Sequence, residues 1–158
     1  MSKTLPDFDR SKFGIITPYN GQAALLREYV KENDKTLFSE VEVNSVDGFQ
    51  GREKDIIIFS TVRTNKKSIG FLSDVRRMNV GLSRARLGLI IVGDAEKLRF
   101  CKKGGKKWKL LVNYCIQNNR CIRVPDNFLE IDFLSEFAKD PNKYLQKEAD
   151  SVIEGTLS

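Results

Sequence analysis

Short apolar runs, each stopped by glycine, proline or charge, alternate along the first two thirds of the chain with segments of helical spacing. Phe13-Gly14-Ile15-Ile16-Thr17 is the first run, and Pro18 ends it. A run this short with Gly and Pro at its flank predicts a buried strand. Across 21–32, Leu25, Leu26, Tyr29 and Val30 recur at helical spacing, and the charged stretch 31–35 closes that helix. Residues 40–46 alternate, with Val41, Val43 and Val46 set against Glu42 and Asn44, which predicts a second strand. A loop rich in glycine and charge follows over 47–55. Ile56-Ile57-Ile58-Phe59 is the most continuous β-branched run and predicts a central strand. After a polar, basic loop at 63–68, residues 76–86 have helical spacing with Met78, Leu82 and Ala85 on one stripe. Residues 87–92 predict another buried strand, ended by Gly93-Asp94. Strand, helix, strand, strand, helix, strand in this order predicts an α/β fold with a doubly wound parallel sheet and helices on both faces.

The tail differs in character. Lys102-Lys103-Gly104-Gly105-Lys106-Lys107 predicts a flexible basic loop, 108–118 is amphipathic, and Cys121-Ile122-Arg123-Val124 predicts a last short strand that Pro125 breaks. Beyond it the residues are acidic to mixed and weakly helical. The layout expected is a polar leader at 1–12, one α/β domain at 13–125, and an appendage at 126–158 that is partly helical or disordered.

Composition narrows the chemistry. A chain of 158 residues with 41% apolar content suits one globular domain with a real core. No run of about 20 apolar residues predicts a membrane span, and 1–10 carries no apolar signal stretch. The expectation is a soluble protein of the cytoplasm or nucleus, monomeric, with no membrane partner. There is no histidine, and Cys101, Cys115 and Cys121 form no CxxC pair. Histidine-based triads and most zinc sites are thereby excluded, and the cysteines read as reduced thiols. The net charge of +6 fits a polyanion partner or plain solubility charge equally well.

Three blocks concentrate polar and glycine residues, and the first two are expected at the carboxyl ends of strands, where ligands of open parallel sheets bind. Ile16-Thr17-Pro18-Tyr19-Asn20-Gly21-Gln22 is a strand end, a turn and a helix start, a place where a threonine hydroxyl and backbone N–H groups suit phosphate. The same letters also fit an ordinary connector. Ser45 to Asp55 lies between two strands, with two glycines for close backbone approach and Ser45, Asp47, Gln50 and Glu53 as polar contacts. A charged loop capping a sheet is the alternative. Arg76 to Arg86 holds four arginines in 11 residues. On a helix Arg77, Gly81 and Arg84 share a face, and a glycine there leaves room for a ligand or a neighbouring backbone. Arginine without acidic partners points to phosphate, because its fixed fork matches oxygen geometry.

In this order the blocks are specific. SVDGFQGREKDIIIFSTVRTN followed by IGFLSDVRRMNVGLSRARLGLIIVGD resembles motifs V and VI of the superfamily 1 up-frameshift and senataxin helicases, and GIITPYNGQ resembles their motif IV. The resemblance covers roughly 13–124, and the nonsense-mediated-decay branch is nearest. It implies the second RecA-like domain of an ATP-dependent motor. Arg84 corresponds to the arginine finger that reaches the γ-phosphate of ATP held on the first RecA-like domain. Glu53 corresponds to the acid that takes the ATP ribose hydroxyls, with Gln50 and Gly51 in the nucleotide cleft. Thr17, Pro18, Tyr19, Ser45 and Asp47 match positions lining the groove for single-stranded RNA or DNA.

Val75, Gly81 and Ser83 depart from the usual Pro, Ala and Thr without changing the charge pattern. The larger departures are absences: no GxxxxGK[ST] loop cradles phosphates, and no Asp-Glu pair stands at a strand end for Mg²⁺. The resemblance therefore implies a piece that begins inside the second motor domain. ATP and Mg²⁺ would be held mainly by the first domain, and the chain alone would be inactive. The alternative is a stand-alone nucleic-acid-binding module with the helicase shape and no motor; a generic Rossmann-like binder fits poorly, because no GxGxxG follows a strand.

Overall fold

A parallel strand covered on both faces must be apolar nearly throughout, and Phe13–Thr17 meets that condition as β1. The structure, a computed structural model, describes residues 9–33, 40–62, 70–101, 104–128 and 132–146. β1 sits inside a four-stranded sheet with β2 (Glu42–Ser45), β3 (Lys54–Ser60) and β4 (Ala85–Val92), in the order β2-β1-β3-β4. All three pairings are parallel. Helix α1 (Asn20–Asn33) links β1 to β2, and α2 (Val75–Leu82) links β3 to β4. The two crossovers travel in opposite directions across the sheet. Right-handed connections therefore set α1 and α2 on opposite faces, the doubly wound α/β arrangement expected.

Register fixes which side chains share a face. Ile16 pairs with Phe59 and Gly14 with Ile57, and Ile16, Ile57 and Phe59 are fully buried. Phe49, from the β2–β3 connection, and Ala23 of α1 are fully buried too, and Leu72 before α2 and Met78 within it are also in the core. Gly81 of α2 packs directly on the Phe59 ring, in the space that a Cβ would occupy.

The helix expected to reach Arg86 ends at Leu82. Asp74 caps its start by accepting from the Arg76 and Arg77 N–H groups at 2.9 and 3.4 Å. Ser83 caps its end, its N–H donating to the Asn79 carbonyl at 3.0 Å. From Ala85 onward the backbone pairs with β3, so a tertiary ladder overrides the helical propensity of Ala85 and Arg86. β4 was also expected to be buried. It forms the sheet's edge, and Leu87, Ile90 and Val92 are 81%, 53% and 53% exposed.

The chain falls into two compact units, Met1–Asp94 and Ala95–Ser158. The division expected after Pro125 thus lies inside the second. That unit is built on α3 (Ala95–Phe100) and α4 (Gly105–Gln117). Gly105, Trp108, Val112 and Ile116 form the buried stripe of α4, with Trp108 fully buried. Residues 105–107 are thus helical, not loop. The strand expected at 121–124 is one antiparallel bridge, Ile122 to Leu145. Its neighbours are two backbone bonds, Arg123 N–H to the Tyr144 carbonyl and Gln146 N–H to the Cys121 carbonyl. α5 (Phe133–Lys139) folds onto the turn Pro141–Tyr144 through Phe133, whose ring meets Tyr144 edge-on at 5.0 Å. The loop expected at 63–68, residues 1–8 of the leader, 34–39, Lys102-Lys103 and 147–158 lie outside the described residues.

Two predictions follow from this packing. Gly81→Ala gains about 1 kcal/mol of helix propensity but overpacks Phe59, at a cost of about 1–3 kcal/mol. The variant should have a lower urea midpoint, and Phe59→Leu should restore part of it when the two are combined. A higher midpoint for Gly81→Ala alone would refute the contact. In the second unit, Glu136 accepts from the Tyr144 hydroxyl at 2.7 Å and from Lys143 Nζ at 3.0 Å. These bonds, Tyr144 first, hold its carboxyl below the ordinary glutamate range. A depressed folded-state value gives stability that is present above the ordinary range and lost as pH falls through the depressed value. The stability advantage of wild type over Glu136→Gln should therefore hold at neutral pH and shrink below about pH 4.3, as thermal melts at stepped pH would measure.

Candidate functional site

The three blocks divide between the two ends of the sheet. At the carboxyl end, β1 closes on Thr17 and β2 on Ser45, and the Val46 N–H donates to the Thr17 carbonyl at 3.0 Å. The threonine hydroxyl expected to be free is not: Thr17 is 0% exposed, and its Oγ1 has no hydrogen-bond partner among the described residues. Pro18 is buried and Tyr19 half-buried. Ser45 is also buried, and its Oγ accepts from the Gly48 N–H at 3.3 Å. Of the five residues expected along a strand groove, only Asp47 is well exposed, with 64% of its side chain open. It stands opposite Arg77, whose Nε lies 3.9 Å away.

The second block was expected to lie at a strand's carboxyl end, and this holds only for its first residues. A run of tight turns carries the chain back along the sheet: Phe49 N–H to the Ser45 carbonyl at 2.9 Å, Gln50 N–H to Asp47 at 3.3 Å, and Arg52 N–H to Phe49 at 3.1 Å. Gly51 makes the reversal with φ of 77°, a left-handed conformation that costs glycine little. Arg52 then pairs with Glu42 at the start of β2, and Lys54 Nζ lies 3.6 Å from the same carboxylate. Gln50, Gly51 and Glu53 are exposed, and Glu53 stands directly before β3.

Arg84 arrives at this same amino-terminal end from the other side. It follows the Ser83 cap and directly precedes β4, and its carbonyl accepts from the Lys54 N–H at 3.0 Å. Its guanidinium donates from Nε to the Val80 carbonyl at 2.9 Å, from Nη1 to the Arg52 carbonyl at 3.3 Å and from Nη2 to Ser83 Oγ at 3.2 Å. All three acceptors are neutral. Among the described residues no carboxylate pairs with the group, so it is oriented by dipoles alone, and these bonds use three of its five N–H donors.

The common face expected for Arg77, Gly81 and Arg84 does not form. Gly81 faces Phe59, Arg84 has left the helix, and Arg77 lies between Asp47 and Asp74 at 3.9 and 4.0 Å. Arg86 is not on the helix either. It lies on β4 and pairs with Asp55, whose side chain is 17% exposed. Two features were missed at the level of sequence: the carbonyls of Val80 and Arg52 that orient Arg84, and the Asp47–Arg77 approach. Backbone acceptors leave no residue-type signal; the Asp47–Arg77 pair carries opposite charges, but 30 residues apart.

Comparison with known proteins bears on this arrangement. The AAA domain family matches residues 1–96. ATP-dependent helicase NAM7 of Saccharomyces cerevisiae is 55% identical over 91 residues, which cover 55% of this chain and 9% of that protein. Regulator of nonsense transcripts 1 homolog of Drosophila melanogaster is 50% identical over 107 residues, 65% of this chain and 9% of that protein. Probable helicase MAGATAMA 3 of Arabidopsis thaliana is 46% identical over 116 residues, 72% of this chain and 14% of that protein. The chain spans about a tenth of the length of these relatives.

The orphaned Thr17 hydroxyl generates a prediction. A buried hydroxyl without a partner costs about 1–3 kcal/mol, and valine has nearly the same shape. Thr17→Val should raise the urea midpoint by an amount equivalent to about 1 kcal/mol. A loss of stability would mean that the hydroxyl is bonded after all.

Proposed function

The chain belongs to the AAA domain family, and on that premise we propose that it is the second motor domain of an ATP-dependent superfamily 1 helicase acting on single-stranded RNA or DNA. The observation that carries this reading is the half-buried Arg84 guanidinium, oriented by the Val80, Arg52 and Ser83 oxygens with no carboxylate among its partners. A group held in this way fits a developing negative charge better than a ground-state one. It costs no reorganisation when that charge appears, and it stabilises a transferring phosphoryl group across a domain cleft.

The neighbouring residues fit a nucleotide edge without completing one. Glu53, exposed before β3, suits ribose hydroxyls as an acceptor, and Gln50 and Gly51 offer an amide and an accessible backbone. Among the described residues no cluster of three or more His, Cys, Asp or Glu is arranged to hold a metal ion. In this reading Mg²⁺ and the phosphate cradle belong to the first motor domain, and the chain by itself turns over no ATP. When ATP is bound, its hydrolysis supplies the free energy; this domain's share is Arg84, the ribose contact and half of the strand groove. At the carboxyl end, Asp47 and the opening turn of α1 are the exposed candidates for the strand, with the half-buried Tyr19 beside them. Thr17, Pro18 and Ser45 act there through the backbone they shape. Contacts of this kind recognise phosphate and sugar and suit a motor that moves over any sequence.

The test is ATPase activity of the full-length protein. Arg84→Ala should lower turnover by about 10³-fold or more while single-strand binding stays within a few-fold of wild type. Arg84→Lys should fail as well, because an ammonium cannot reproduce the fork. Arg86→Ala is the control: it unpairs Asp55 and lowers the melting temperature but leaves turnover within a few-fold. Circular dichroism confirms folding of each. Near-normal turnover for Arg84→Ala, or a dead Arg86→Ala, overturns the assignment.

A further inference from the structure

The second unit carries a charged surface that the motor reading leaves unused. Residues 102–109 read Lys-Lys-Gly-Gly-Lys-Lys-Trp-Lys, five lysines with no acid. Of the described ones, Lys106, Lys107 and Lys109 are exposed, and among the described residues none pairs with a carboxylate. Lys106 and Lys107 occupy the first turn of α4, where a cation opposes the helix dipole. Helix stability therefore does not account for them.

Two aromatic rings stand open on the same unit. Phe100 is 59% and Tyr114 50% exposed, although rings normally bury most of their large apolar area. Each keeps a cation beside it: Lys109 Nζ lies 6.0 Å from the Phe100 centroid, and the Arg120 guanidinium 5.9 Å from that of Tyr114. Arg99 also lies 5.2 Å from Phe100 while paired with Glu96. Lys106 and Tyr114 are eight residues apart on one helix, a span of about 12 Å that can meet more than one nucleotide.

We propose that Phe100, Lys106, Lys107, Lys109, Tyr114 and Arg120 form a second contact for single-stranded nucleic acid, built within the second unit from residues that the proposed groove does not use. The lysines take backbone phosphates, and the two rings take unstacked bases. Open rings flanked by cations are what a sequence-tolerant single-strand platform requires. A duplex keeps its bases stacked and offers the rings nothing, and an acidic peptide would use the lysines alone. The proposal lies within one unit and does not depend on the role of Arg84, so the ATPase test leaves it untouched.

The experiment is fluorescence anisotropy of a labelled oligouridine with the full 158-residue chain, titrated at several salt concentrations. Replacing Lys106, Lys107 and Lys109 by alanine should weaken binding at least about tenfold at low salt. It should also reduce the slope of log K against log salt by about 2, at roughly 0.7 per lost phosphate contact. Phe100→Ala with Tyr114→Ala should weaken binding at least about fivefold and leave the slope unchanged. Near-ultraviolet circular dichroism of the buried Trp108 confirms folding, and Tyr114→Leu serves should the double variant fail to fold. Three results overturn the proposal: wild-type affinity in the lysine variant, equal binding of a duplex of the same length, or a polyglutamate competing as well as oligouridine with no effect of the ring substitutions.

Discussion

One backbone hydrogen bond, from the Lys54 N–H to the Arg84 carbonyl, organises the amino-terminal end of the first unit. It starts the β3–β4 ladder, so the helix before it must stop, and it stops at Leu82. The same capture leaves Arg84 in the short gap between the Ser83 cap and the strand. There its side chain reaches back to the Val80 carbonyl and across to the Arg52 carbonyl. A helix continuing to Arg86 would turn Arg84 to a different direction and remove those acceptors. The ladder that closes the sheet is thus also what orients the guanidinium.

α2 connects the two ends of the sheet. It runs opposite to the strands, from Asp74 and Arg77 near Asp47 to Ser83 near the start of β3. Eight residues span about 12 Å, and the Gly81–Phe59 contact seats the helix closely on the sheet. A short, tightly packed helix moves as a body, because close-packed interiors transmit displacement instead of absorbing it. The carboxyl-end residues Asp47 and Arg77 and the amino-end residue Arg84 are therefore tied by one rigid element. The proposed motor role, which relates nucleotide chemistry to strand position, would need such a link.

Much of this was legible in the letters. An apolar run flanked by Gly and Pro marked β1, alternation marked β2, and a continuous β-branched run marked β3. Helical spacing marked α1, and the strand-helix order was enough for the doubly wound sheet. What escaped depended on partners distant in sequence. Ala85-Arg86 has good helical propensity and became strand because β3 lay beside it. Leu87-Gly88-Leu89-Ile90 reads as buried but forms an edge, since exposure depends on what lies beyond β4 and not on the run itself. The candidate site was picked out through its motif strings, which named the residues whose placement the structure then gives. Their division between two ends of the sheet was not visible, because the turns at Phe49 to Arg52 that reverse the chain rest on backbone bonds. The exposed rings of α3 and α4 were hidden for a similar reason: Phe100 and Tyr114 have the composition of core residues.

The arginines near α2 show how one residue type is sorted into separate tasks by what accepts its hydrogen bonds. Arg86 meets a half-buried carboxylate, Asp55, and its charge is spent on holding β3 to β4. Arg77 stands 3.9 and 4.0 Å from two exposed carboxylates, a range at which exposed pairs contribute little and release easily. Among the described residues Arg84 meets only carbonyl and hydroxyl oxygens. Dipoles orient a cation without neutralising it, whereas a carboxylate partner would have to be displaced before any phosphate could bind. Replacing Ser83 by an acid beside Arg84 would therefore neutralise the guanidinium and remove the proposed role. That no acid pairs with Arg84 among the described residues is the electrostatic condition on which the proposed role depends.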